Sequence, residues 1–153
     1  MIATHGMTFN GHIESDVSDA MWPLEQDVRR GLEIMDGERR YAYALWRQPP
    51  RDQMYLRVQG WPWSYIQSAG SAEAMTVEIR VSGGMDKVAE QFVVGRPVED
   101  QAAEPVVNIR WNGNDHIVFA NEVFEVKEAG DIYWYYYQHD TVPDGYWLRQ
   151  IAV

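Results

Sequence analysis

Asn112-Gly113 separates two short apolar-rich runs, residues 106–111 and 116–119, and no other feature narrows the fold as far. Asn-Gly readily takes the positive-φ backbone of a two-residue hairpin, so the two runs are expected to pair antiparallel. Further runs of strand character lie upstream at residues 41–46, 54–58, 65–67, 76–81 and 92–94. Met54, Leu56 and Val58 alternate with Tyr55 and Arg57, and Val77, Ile79 and Val81 are expected to face inward in the same way.

Two segments carry a helical period instead. Leu24, Val28, Leu32 and Met35 share one face of residues 18–35. Ser18 or Asp19 is placed to cap that helix, Pro23 suits its first turn, and Asp36-Gly37 supplies its stop. In residues 125–139, Ala129, Ile132, Tyr133 and Tyr136 form a second stripe. Three consecutive tyrosines favour a strand, but acids at the start and His139 at the end favour a helix. Trp134 and Tyr135 then face away from the stripe. Residues 95–105 read as an exposed acidic loop, and Pro143-Asp144-Gly145 as a turn before Tyr146-Trp147-Leu148-Arg149. The order predicts one α+β domain over residues 1–153. Its parts are an N-terminal helix, an antiparallel β-meander sheet and a C-terminal Tyr-rich helix packed on the sheet, with residues 1–16 as a loosely ordered arm.

Composition limits the chemistry. A chain of 153 residues, 46% hydrophobic, buries roughly two-thirds of its unfolded surface without a staple. It has no cysteine, which closes off thiol catalysis, zinc ribbons and disulfide frameworks. No apolar run approaches the roughly 18 residues of a membrane span. The first ten residues lack the basic cluster and apolar core of a secretory signal, so a cytoplasmic location is expected. The net charge of −10 is uneven: residues 1–72 hold 9 acids and 7 bases, residues 73–153 hold 14 acids and 6 bases. No basic stripe exists to neutralise phosphates, so direct nucleic-acid binding is not expected. The same charge attracts a cationic partner, or serves solubility alone.

Catalytic patterns are sparse. His5, His12, His116 and His139 show no helical metal-ligand spacing, and neither metal nor cofactor is expected. No nucleophile elbow, phosphate loop or dinucleotide fingerprint is present, so the chain reads as non-enzymatic. A paired-carboxylate hydrolase stays open only because acids are plentiful. The unusual feature is Trp61-Pro62-Trp63-Ser64-Tyr65. It fits a lid folded over the sheet, a partner anchor, or a sugar-stacking platform.

The chain resembles the immunity proteins of bacterial polymorphic toxin systems, in particular the family found beside deaminase-type toxins. The resemblance covers about residues 17–149. It rests on Trp22-Pro23-Leu24-Glu25-Gln26-Asp27-Val28 leading to Leu32 and Met35-Asp36-Gly37-Glu38, then on Leu56-Arg57-Val58-Gln59-Gly60 before Tyr65-Ile66. The third part is Asn121-Glu122-Val123-Phe124, Lys127-Glu128-Ala129, the Tyr-rich segment and Thr141-Val142-Pro143-Asp144-Gly145. Trp61-Pro62-Trp63 departs from it, standing where small residues are expected. The resemblance implies an inhibitor that blocks the active site of a cognate toxin domain, often a nucleic-acid-modifying enzyme. It carries over no site residues. The residues free to meet a basic toxin are Trp61, Trp63, Glu99, Asp100, Glu104 and Asp115; the alternative is a carbohydrate- or small-ligand-binding module.

Overall fold

The computed structural model describes residues 3–58, 61–84 and 87–152. The strands are β1 (His5–Phe9), β2 (Ile13–Asp16), β3 (Ala42–Arg47), β4 (Tyr65–Ala69), β5 (Glu78–Val81), β6 (Glu90–Gly95), β7 (Val107–Trp111), β8 (Asn114–Val118) and β9 (Trp147–Ile151). The helices are α1 (Leu24–Glu33) and α2 (Val126–His139). Seven strands make one antiparallel sheet in the order β2-β1-β3-β4-β5-β6-β9, and β7-β8 is a separate ribbon.

The α+β class is right, but the expected order is not. The chain begins with two strands rather than a helix or a loose arm. Asn10 and Gly11 adopt positive φ and fold β2 back on β1. The Asn10 carboxamide then accepts from Tyr41 N and donates to Arg39 O, fixing the hairpin to the start of β3. His5 and Met7 are buried on the sheet, which is why this end is ordered.

Nor is the sheet a simple meander. β6 pairs with β9 from the end of the chain, while the β7–β8 ribbon leaves the sheet. The ribbon itself is the hairpin expected at Asn112-Gly113, both with positive φ. It is held by Asn112 N donating to Gly37 O at 2.8 Å and by Tyr41 stacked on Trp111.

Residues 54–58 do not form a strand. Arg51–Val58 is a 3-10 segment with a kink at Gln53, begun by Gln53 N donating to Pro50 O. β3 is already flanked by β1 and β4, so no ladder position remains beside it. Gln59 and Gly60, which end the strand motif of the resemblance, lie outside the described residues. Val81 is 51% exposed at the end of β5 instead of facing the core.

Both helices cover one sheet face. Val28 and Leu32 of α1 and Ala129, Ile132, Tyr133 and Tyr136 of α2 are buried, as their spacing requires. Neither Ser18 nor Asp19 caps α1. Pro23 holds the cap position, and Asp27 reaches back to accept from Ser18 N and Trp22 Nε1. At the centre Tyr43 donates to Val28 O, and Tyr133 Oη hydrogen-bonds to Tyr43 O and the Ser68 hydroxyl. A buried phenol without partners is costly, and these two are fully satisfied. Burial pushes the ionisation of both well above the usual tyrosine range.

Candidate functional site

The acidic end of the molecule begins where β6 stops. Residues 97–106 are all exposed, including Glu99, Asp100 and Glu104. Among the described residues no cation pairs with these three. The nearest in sequence, Arg96, is occupied: Nη2 donates to Val123 O, Nη1 lies 3.5 Å from Glu128, and the guanidinium sits over the Phe124 ring. Arg96 N donates to Asn121 O and Asn121 Nδ2 to Arg96 O, so the root of the loop is clamped. Asp115 is exposed on β8, 3.4 Å from Arg110, and accepts from Asn108 Nδ2. That ion pair is open to solvent on both sides and holds Asp115 weakly.

Trp61 and Trp63 are half-buried, with ring centroids 5.0 Å apart. Trp61 Nε1 donates to Arg47 O at 3.0 Å, while Trp63 Nε1 is buried with no partner among the described residues. With Arg47, Val81, Tyr136 and Asp140 they line a cavity of about 400 Å³. On its wall Arg47 Nε lies 3.0 Å from the Asp140 carboxylate, so the two charges offset one another. The rings thus stand half-exposed on the wall of the cavity.

The six expected partner residues do not converge. Val81 pairs with Glu90 and Glu78 with Val93, so the tryptophan cavity adjoins the start of β6 and the acidic loop leaves its end. Those ends are about 16 Å apart along an extended strand. Asp115 lies at the same end of the sheet as the root of the acidic loop, because the β7–β8 ribbon packs beside Gly37 and Gly70 at the far end of β4 from Trp63.

Sequence reasoning passed over the exposed hydrophobics of β9. Trp147 is 42% and Leu148 44% exposed, on opposite faces of an edge strand. Its one cation, Arg149, is drawn onto buried Glu122 by bonds of 2.7 and 2.9 Å. The available signal was a Trp-Leu pair in a terminal run; only the pairing of β9 with β6 shows that it forms an edge.

Among the described residues no group of three or more His, Asp or Glu could hold a metal ion, and no helix is long and apolar enough to cross a membrane. No protein-family model, no curated protein and no solved structure matches this chain.

Proposed function

We propose that the protein is a non-enzymatic inhibitor that binds and neutralises a basic toxin domain in the bacterial cytoplasm, in the manner of an immunity protein. One observation carries the reading: an exposed run, residues 97–106, presents Glu99, Asp100 and Glu104 with no cation paired to them among the described residues. A domain acting on nucleic acid needs a positive groove to hold phosphates. Carboxylates on a loop held at its root by Asn121 steer encounter with such a groove and occupy it. Co-expression with the product of the neighbouring gene tests this: a stable complex that abolishes the partner's activity is expected. Failure of the two chains to associate sinks the reading.

The tryptophan cavity favours a second reading, a small-ligand module. Its volume of about 400 Å³ lies within the usual range for ligand pockets, and Trp61 and Trp63 contribute aromatic rings to its wall. Saturable binding of a neutral sugar that shifts the Trp61 and Trp63 indole resonances would support it.

A further inference from the structure

We infer that β9 is a docking edge, and that its occupant is an extended basic segment of the protein's partner, added as an eighth strand. The inference rests on the inhibitor reading for the partner's identity, but the edge itself is visible in the fold. Among the described residues β9 pairs only with β6, and its outer side carries no backbone hydrogen bond to any other element. An open edge of this kind is a template for another strand.

The two edges of the sheet differ in how they are guarded. β2, at the far side, reads Ile13-Glu14-Ser15-Asp16, all four exposed and half of them acidic, with Asp16 also accepting from Gln48 Nε2. Charged residues on an edge discourage pairing. β9 reads Trp147-Leu148-Arg149-Gln150-Ile151, and its one charge is turned onto Glu122. The edge therefore presents exposed Trp147 and Leu148, one to each face.

Charge selects the occupant. Trp147 faces Gly95, the last residue before the acidic loop, so Glu99, Asp100 and Glu104 leave the sheet beside the start of this edge. Exposed Asp144 precedes it by three residues. A strand alternating basic and apolar residues would gain ladder hydrogen bonds from β9, apolar contact from Leu148 on one face, cation–π contact from Trp147 on the other, and attraction from the loop. A second copy of this chain brings another −10 of charge to the same place and is disfavoured.

The probe is a nine-residue peptide of alternating Lys and Val, compared with the same peptide N-methylated at every backbone amide. N-methylation keeps charge and side chains but removes the ladder donors. The unmodified peptide is expected to bind the full chain at least about 10-fold more tightly, with amide resonance shifts confined to residues 147–151 and 96–106. Leu148→Lys with Gln150→Lys, both at exposed positions, should remove that preference, whereas Ile13→Lys on β2 should leave it intact. Equal binding of the two peptides, no saturable binding, or shifts centred elsewhere overturns the inference. So does a dimer in sedimentation that Leu148→Lys dissociates, because the edge would then belong to a second copy. With the neighbouring-gene product, slowed amide exchange in β9 is expected. A complex that forms with β9 exchange unchanged overturns the edge and leaves the inhibitor reading standing; absence of any complex removes that reading and leaves the peptide result to decide the edge.

Discussion

Gly95 and Trp147 face one another across β6 and β9, so the chain departs for its acidic loop beside an indole that is 42% exposed. The glycine has a packing reason. A Cβ there would lie 3.1 Å from Asn121 Nδ2 and 3.3 Å from Glu122 Cγ. Its absence lets residues 120–122 lie close to β6, where Asn121 clamps Arg96 and Glu122 holds Arg149. One small residue thus positions both the acidic loop and the edge strand.

Charge reversal of the loop is the first expectation. Glu99, Asp100 and Glu104 changed together to Lys should slow association with a basic partner on the order of 10-fold at low salt and flatten its salt dependence. All three are exposed, so folding stability should change little. Stopped-flow association at several ionic strengths measures this. A rate unchanged at low salt would show that the loop serves only solvation.

Trp61 and Trp63 lead to an opposite expectation. Each ring is half-buried, and Trp61 also holds the Arg47 carbonyl. Full burial of a Trp is worth about 3–5 kcal/mol against Ala, so half-burial suggests a loss of about 1–3 kcal/mol of stability for each Ala variant. Partner affinity should stay within about threefold, because the cavity lies at the other end of β6. Urea unfolding and a binding titration on the same variants separate the two effects. A large affinity loss in a stable variant would place the partner over the cavity.

The parts legible in the sequence were those set by local period or local turn chemistry. Leu32 and Tyr133 fell on helical stripes, and Asn112-Gly113 marked its hairpin by the positive φ that both residues adopt. Asn10-Gly11 carried the same hairpin signal, but the flanking Thr8 and His12 hid the alternation of buried His5 and Met7. Residues 54–58 misled for the opposite reason. Their alternation is strand-like, yet β3 had no free side to receive them. At the candidate site the exposure of Glu99, Asp100 and Glu104 followed from polarity alone. The separation of those acids from Trp61 and Trp63, and the edge position of Trp147, depend on strand register between distant segments, which single-sequence patterns do not encode.

Gly31 should prove intolerant of the smallest enlargement. It lies in α1 against the ring of fully buried Tyr43, and a Cβ there would overlap Tyr43 Cε2. Ala in place of Gly within a helix ordinarily gains about 1 kcal/mol. With a Cβ in overlap with a ring that has no room to move, the overpacking cost lies at the upper end of the usual range, about 2–3 kcal/mol, so Gly31→Ala should be destabilising by about 1–2 kcal/mol. Combining it with Tyr43→Leu should cost less than the sum of the two single changes, because the clash is relieved. Strict additivity in denaturant unfolding would show that the ring and the glycine do not meet.

His5 supplies the pH dependence. The ring is buried, stacked at 4.0 Å on Tyr137, with Nδ1 on the Thr4 hydroxyl and Nε2 without a partner among the described residues. Burial, reinforced by the Arg47 charge and only partly opposed by Asp140, lowers its pKa from 6.5 to about 4. The folded protein therefore keeps the imidazole neutral where the unfolded chain protonates it. Stability from this group is complete above pH 6.5, falls as pH drops from about 6.5 to about 4, and is level below that. The loss should reach about 2–3 kcal/mol, allowing for solvent screening of Arg47 and Asp140, which are both about half exposed. His5→Phe can keep the stack on Tyr137 and has no proton to gain. Its urea midpoint should thus fall less steeply than that of the parent protein between pH 6.5 and 4. Parallel curves would mean that His5 titrates in the fold as it does in the unfolded chain.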